Sequence, residues 1–146
     1  MPTSTQPKTP LTRTRYYLEE DFQTDFNKYL KHIFYKTGAF ELKVTEETSL
    51  PFGAVKDHQM TALYHAKHGN FVYKIPDDAV SEKPFDAFML VMVPSYVVVM
   101  FRSKERGQRE FVMIDIDAWI SEKKISERKS LTEERAKEIG RVCFLA

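Results

Sequence analysis

Apolar residues recur along this chain with two different periods, and the switches between them mark out its elements. Phe22, Phe26, Tyr29, Leu30 and Ile33 fall three and four residues apart, the spacing that lines up side chains on one face of a helix. An amphipathic helix is expected over residues 19–36, ending at Gly38. The period then drops to two. Leu42 and Val44 alternate with Glu41, Lys43 and Thr45, which predicts a strand over 40–45. Residues 49–53, interrupted by Pro51, read as a turn. A second helix is expected over 54–68, stopped by Gly69-Asn70. Residues 71–75 read as a short strand and "PDDAVSEKP" as a loop.

Two nearly continuous apolar runs follow, 87–93 and 96–101, joined by Pro94-Ser95. Unbroken apolar runs suit strands covered on both faces, so these two are expected to pair antiparallel at the centre of a sheet. "RSKERGQR" reads as a charged hairpin tip and 111–116 as a further strand. Asp117 is placed to cap a short helix containing Trp119. "SLTEERAKEIG" predicts a terminal helix capped by Thr132 or Ser130, with Glu133 and Glu134 in the first turn, where the helix dipole favours acid. Helices and strands alternate irregularly, with hairpins between them. That is an α/β chain with a mixed sheet and helices packed on it.

Composition narrows the class. The chain has 146 residues, 42% hydrophobic and 13% aromatic, which suits one folded domain and argues against disorder. Residues 1–15 are polar and Pro-rich, end in Arg13 and Arg15, and lack the apolar core of a signal peptide. They are expected to form a flexible arm, leaving 16–146 as a single domain in the cytoplasm. The longest uncharged apolar stretch, 87–101, is too short for a membrane span and is broken by Pro94. The single cysteine, Cys143, excludes an intrachain disulfide and a Cys-based zinc site. Near an apolar terminus it reads as a core residue more readily than as an activated thiol. A net charge of +1 gives no global basic field, so a nucleic acid would have to be met by a local patch or by an oligomer that gathers charge.

The strand at 40–45 carries the most suggestive chemistry. Glu41 and Lys43 project from one side of it. A carboxylate there can hold a hard divalent cation such as Mg²⁺, which accepts one or two protein carboxylates and keeps several waters. The cation polarises a phosphate oxygen and lowers the pKa of a bound water, and the neighbouring lysine offsets charge that develops on the phosphate. The same pair also occurs as an ordinary surface ion pair, so its neighbours decide the reading.

Those neighbours are specific. "ELKVTEETSLPFGAVKDHQ", residues 41–59, resembles the metal-dependent PD-(D/E)xK nuclease superfamily, and within it the RecU-type Holliday junction resolvases. These place an E-x-K strand before a Thr, then a Ser-x-Pro turn, then a helix carrying His-Gln. The matching residues are Glu41, Lys43, Thr45, Ser49, Pro51, His58 and Gln59. The resemblance implies a restriction-endonuclease-like mixed sheet flanked by helices, and Mg²⁺-dependent hydrolysis of phosphodiester bonds in branched DNA, with Mn²⁺ as substitute. It implies a homodimer from a bacterial or phage-infected cell. Glu41 would be a metal ligand and Lys43 the catalytic lysine. Gln59 would stand beside the site, and Thr45 would position phosphate or water. Lys56, His58 and Arg102 would touch DNA, within a rim that includes Lys67, Lys74, Lys83, Lys104, Arg106 and Arg109.

The sequence departs from the family in one respect. The resolvases carry an Asp on the strand before E-x-K, whereas only Ala39 and Phe40 separate Gly38 from Glu41 here. Asp86, after Pro84 and at the start of an apolar run, is a candidate second metal ligand, with strand capping or pairing to Lys83 as its ordinary role. Asp77 and Asp78 are rivals. Glu20 is a candidate third ligand from the first helix, ahead of Asp25. His58, His65 and His68 recur at intervals of seven and three on the second helix, and the last two could share zinc. P-loop, dinucleotide-binding and nucleophile-elbow motifs are absent from the sequence. Two alternatives stay open: a DNA-binding recombination or replication accessory protein that keeps the fold without the metal site, and a nuclease of single strands or flaps.

Overall fold

Strand β5 (Ser95–Met100) is the axis of the sheet, and its side chains show why. Val97, Val98, Val99 and Met100 are all fully buried, although alternate residues of a strand point to opposite faces. Such a strand needs a neighbour on each edge and a layer on each side. In the computed structural model, which describes residues 18–33, 38–74 and 87–145, β5 has all four.

On one edge β5 pairs in parallel with β1 (Ala39–Val44), Glu41 opposite Val97 and Lys43 opposite Val99. On the other it pairs antiparallel with β6 (Glu110–Asp115), which pairs antiparallel with β8 (Arg141–Phe144). The order is therefore β1-β5-β6-β8. Helix α1 (Glu19–Ile33) covers one face. Its Phe22, Phe26 and Tyr29 pack with Val98, Met100, Phe111 and Cys143, and with Phe40, Leu42 and Val44 of β1. The opposite face carries Val97, Val99, Val112 and Ile114, which meet Leu63 of α2 (Asp57–His68), Trp119 of α3 (Ile116–Ile125) and Ala136 of α4 (Glu133–Ile139). The described residues thus form an α/β fold of four α-helices and a mixed four-stranded sheet, with helices packed against it. No helix among them is long and apolar enough to cross a membrane.

Several expected elements are rearranged. The two apolar runs do not pair with each other. β4 (Ala87–Val91) instead forms a separate two-stranded sheet with β3 (Asn70–Lys74), Val72 opposite Met89. The cause lies at the junction. Met92 takes a left-handed backbone (φ 47°), its N–H bonds the Gly69 carbonyl, and the Val93 N–H bonds the Ala66 carbonyl. The chain is tied to the end of α2 before β5 begins.

Residues 49–53 are not a simple turn. Ser49–Pro51 is strand β2, paired antiparallel with β7 (Ser130–Thr132), because buried Leu50 stands opposite buried Leu131. A short 3₁₀ turn, Phe52–Ala54, follows, so α2 begins three residues later than expected. The cap of α3 is Asp115, whose carboxylate accepts the Asp117 N–H at 2.9 Å; Asp117 sits inside the first turn. Thr132 caps α4, accepting the Arg135 N–H, but α4 has seven residues and β8 follows it. Gly140 allows that succession, since a Cβ there would lie 2.8 Å from the Met113 carbonyl oxygen. Cys143 is a buried free thiol in the α1-side core. The expected arm at residues 1–15 lies outside the described residues.

Candidate functional site

The site forms where β1 meets the first turn of α2. Phe40, Leu42 and Val44 turn toward α1, so the alternation of the strand sends Glu41 and Lys43 to the other face, toward α2. β1 is an edge strand, and both side chains stay partly open to solvent, 22% for Glu41 and 15% for Lys43. Lys43 Nζ lies 2.8 Å from Glu41 Oε1. Gln59 Nε2 donates to the same oxygen at 2.8 Å from eighteen residues away. The other end of the Gln59 amide is also engaged, since its Oε1 accepts the Lys56 backbone N–H at 3.0 Å. A carbonyl oxygen can only accept, so this bond fixes the amide with its NH₂ facing Glu41. One glutamine therefore caps α2 and orients the carboxylate. Among the described residues, Glu41 Oε2 takes no hydrogen bond.

The remaining sequence-derived candidates scatter around this centre. Thr45 braces the turn after β1, donating to the Ser49 carbonyl and accepting the Glu47 N–H, both at 3.2 Å. Lys56 and His58 are exposed at the start of α2. Arg102, at φ 55°, pairs with Glu133 at 3.0 Å and Glu105 at 2.8 Å. It borders a groove of about 600 Å³ shared with Thr48, Thr132, Glu133, Glu134 and Lys137. Glu20 is exposed in the first turn of α1, the helix on the opposite face of the sheet from Glu41. Asp77, Asp78, Lys83 and Asp86 lie outside the described residues. No group of three or more His, Cys, Asp or Glu among the described residues is arranged to hold a metal ion. His68 bonds Asp117 at 2.8 Å and packs on Tyr64, which also neighbours His65.

The structure adds a second charged cluster that the sequence reading missed. Lys67 Nζ donates to Asp115 at 2.7 Å and also to Asp117. Its ammonium is held above the usual lysine range: burial would lower it, and the bonds to the two carboxylates more than reverse that. Asp117 is held below the usual carboxylate range, chiefly by the hydrogen bond from Lys67, with His68 adding to it against the effect of burial. A third cluster joins Glu133 to Arg102 and Lys137. Burial pushes Glu133 up, but the bonds from Lys137 and Arg102 leave it below its ordinary value. The only sequence signal for the Lys67 cluster was Asp-x-Asp at a strand-to-helix junction, and nothing local pointed it to Lys67-His68. No family model, curated protein or solved structure matches the chain.

Proposed function

We propose that this protein is a metal-dependent DNA endonuclease, similar to Holliday junction resolvases and built on a restriction-endonuclease-like sheet. One observation carries the reading: Glu41, Lys43 and Gln59 meet at a single carboxylate oxygen on an exposed sheet edge. Three residues of one short motif, separated along the chain, are brought to one point. The donor set fits a hard cation in its simplest form, one carboxylate with a free oxygen and room for water. Glu41 would hold Mg²⁺ or Mn²⁺ through Oε2, with Asp86 as the candidate second ligand. When bound, the ion would polarise a phosphate oxygen and acidify a water.

The rest is the work of the chain itself. Gln59 holds the Glu41 carboxylate through Oε1, which leaves Oε2 for the ion. Lys43 places a positive charge beside the phosphate, where it offsets charge building up on the non-bridging oxygens. β1 is an edge strand of the four-stranded sheet, and the Glu41 and Lys43 side chains keep part of their surface in solvent, where a phosphate of duplex or junction DNA would meet them. A four-way junction has two equivalent cut sites, which a two-fold homodimer would match.

The test is cleavage of a synthetic four-way junction, with linear duplex and single strand alongside, in Mg²⁺ or Mn²⁺. Wild type is expected to cut the junction, and Asp86→Asn to lose activity. Absence of metal-dependent cleavage of all three, with binding intact, would replace the reading by its alternative: a DNA-binding accessory protein of the same fold. That alternative draws support from the described partners of Glu41, which are two donors and no second carboxylate.

A further inference from the structure

Three of the cations that the sequence placed around the site are held in ion pairs. Lys67 is held by two aspartates, Arg102 by two glutamates, and Lys104 by Glu46 at 2.7 Å. A cation already paired gives little to a phosphate, because the new contact must compete with the old one. The useful question is which cations lack a partner and stand together.

A set of them gathers at the first turn of α2 and the segment joining α3 to β7. The Phe52 N–H bonds the Lys129 carbonyl at 3.0 Å, and Pro51 stands opposite Ser130. Lys123 at the end of α3 reaches Asp57 at the start of α2, 3.4 Å away. These contacts set the start of α2, with Lys56, beside the segment that carries Lys123, Lys124, Arg128 and Lys129; the acids near it are Asp57, which pairs with Lys123, Glu122, which pairs with Arg135, and Glu127. Among the described residues, Lys56, Lys124, Arg128 and Lys129 form no ion pair, and all four are exposed. On a chain of net charge +1, this is a strong local excess. It adjoins the candidate site directly: the Lys56 N–H is held by the same Gln59 amide that reaches Glu41.

We propose that Lys56, Lys124, Arg128 and Lys129 form a strip that binds the phosphodiester backbone of DNA and feeds it to the Glu41–Lys43 edge. This rests on the nuclease reading and specifies where the DNA lies. The contacts are to phosphate, so they set register and affinity without reading sequence. Each phosphate neutralised releases counterions, so each lost cation lowers the steepness with which binding weakens in salt.

The experiment measures junction and linear duplex binding in EDTA, across a salt series, for wild type and for the triple variant Lys124→Ala, Arg128→Ala, Lys129→Ala. Lys137→Ala, at a cation paired with Glu110 and Glu133, is the control. The slope of log Kd against log salt is expected to fall by about three in the triple variant, at about 0.9 per phosphate contact, and to stay unchanged in the control. All three positions are exposed, and the melting transition of each variant checks that it folds. An unchanged slope in the triple variant overturns the strip, while junction cleavage by wild type would still uphold the nuclease reading. Absence of DNA binding by wild type overturns both.

Discussion

Helix α2 carries a charged cluster at each end, and the two differ in how many carboxylates share one lysine. At the C-terminal end, Lys67 and His68 face Asp115 and Asp117, so that two basic side chains meet two carboxylates. At the N-terminal end a single carboxylate, Glu41, receives both Lys43 and Gln59 on one oxygen. The first cluster is closed. Lys67 is shared between two carboxylates, and the cluster ties α2 to the β6–α3 junction. The second holds one carboxylate, with both donors on Oε1, no hydrogen bond to Oε2 among the described residues, and a place on an edge strand of the four-stranded sheet. The contrast separates a brace from a site. A lysine between two carboxylates holds elements together, whereas a carboxylate held by donors on one side only is poised to accept something on the other.

The largest expected effect comes from opening this comparison at the site. Lys43→Ala should lower junction cleavage by roughly 10²-fold or more, the usual cost of losing one such stabilising charge. Its melting temperature should move little, since Gln59 still donates to Glu41 and the pair keeps some contact with solvent. A large drop in melting temperature with cleavage retained would make the N-terminal cluster a brace as well.

Lys67→Met should do the reverse. It leaves two carboxylates facing each other without their shared donor, and should cost about 1–3 kcal/mol in urea unfolding with cleavage unchanged. The same variant should alter the acid limb of stability. Asp117 has a folded pKa below its unfolded one, so its contribution is complete above the unfolded value, near pH 4, and is lost as the pH falls through the folded value. Lys67 has a raised folded pKa, so its contribution is present below the unfolded value near 10.5 and is lost as the pH rises through the folded one. The contribution of these two groups should therefore be complete between those limits, and Lys67→Met should lose much of both slopes.

A smaller effect sharpens the contrast from the other side. Gln59→Glu places a second carboxylate beside Glu41, so that one lysine stands with two acids as Lys67 does in the brace. In EDTA the variant should be about 1 kcal/mol less stable through like-charge repulsion near the surface. Added Mg²⁺ should restore more stability to it than to wild type, read as a shift in melting temperature. The smallest effect belongs to His68→Asn, where an exposed pair with Asp117 should contribute under about 0.5 kcal/mol.

How legible these features were depended on how many residues each one spans. The alternation through Leu42 and Val44 exposed both the strand and the shared side of Glu41 and Lys43. The α1 stripe at Phe22, Phe26 and Tyr29 was equally plain. Strands β2, β7 and β8 have three or four residues each, too few to show a period, so Leu50 and Leu131 looked like turn and helix-flank residues. The run at 87–93 was apolar enough to read as core, yet Val72 and Met89 stand 58% exposed on the outer face of the β3–β4 pair. Apolar content does not say which surface a strand will find. Within the site, the local motif named Gln59, but its bond to Glu41 depends on where α2 begins and how it is set against β1. The charges of Lys67, Arg102 and Lys129 were all visible in the sequence. Which of them are already paired is a matter of tertiary proximity, and no local pattern encodes it.

The Gln59 amide has a consequence for how the site could be watched. The Lys56 N–H is bonded to Gln59 Oε1, and Gln59 Nε2 to Glu41, so the amide proton of Lys56 sits one side chain away from the carboxylate. Fraying of the first turn of α2 exposes that proton and releases Glu41 in the same event. Its exchange rate with deuterated solvent is then a clock for how often the carboxylate is set free, and a ligand that clamps Glu41 should slow it.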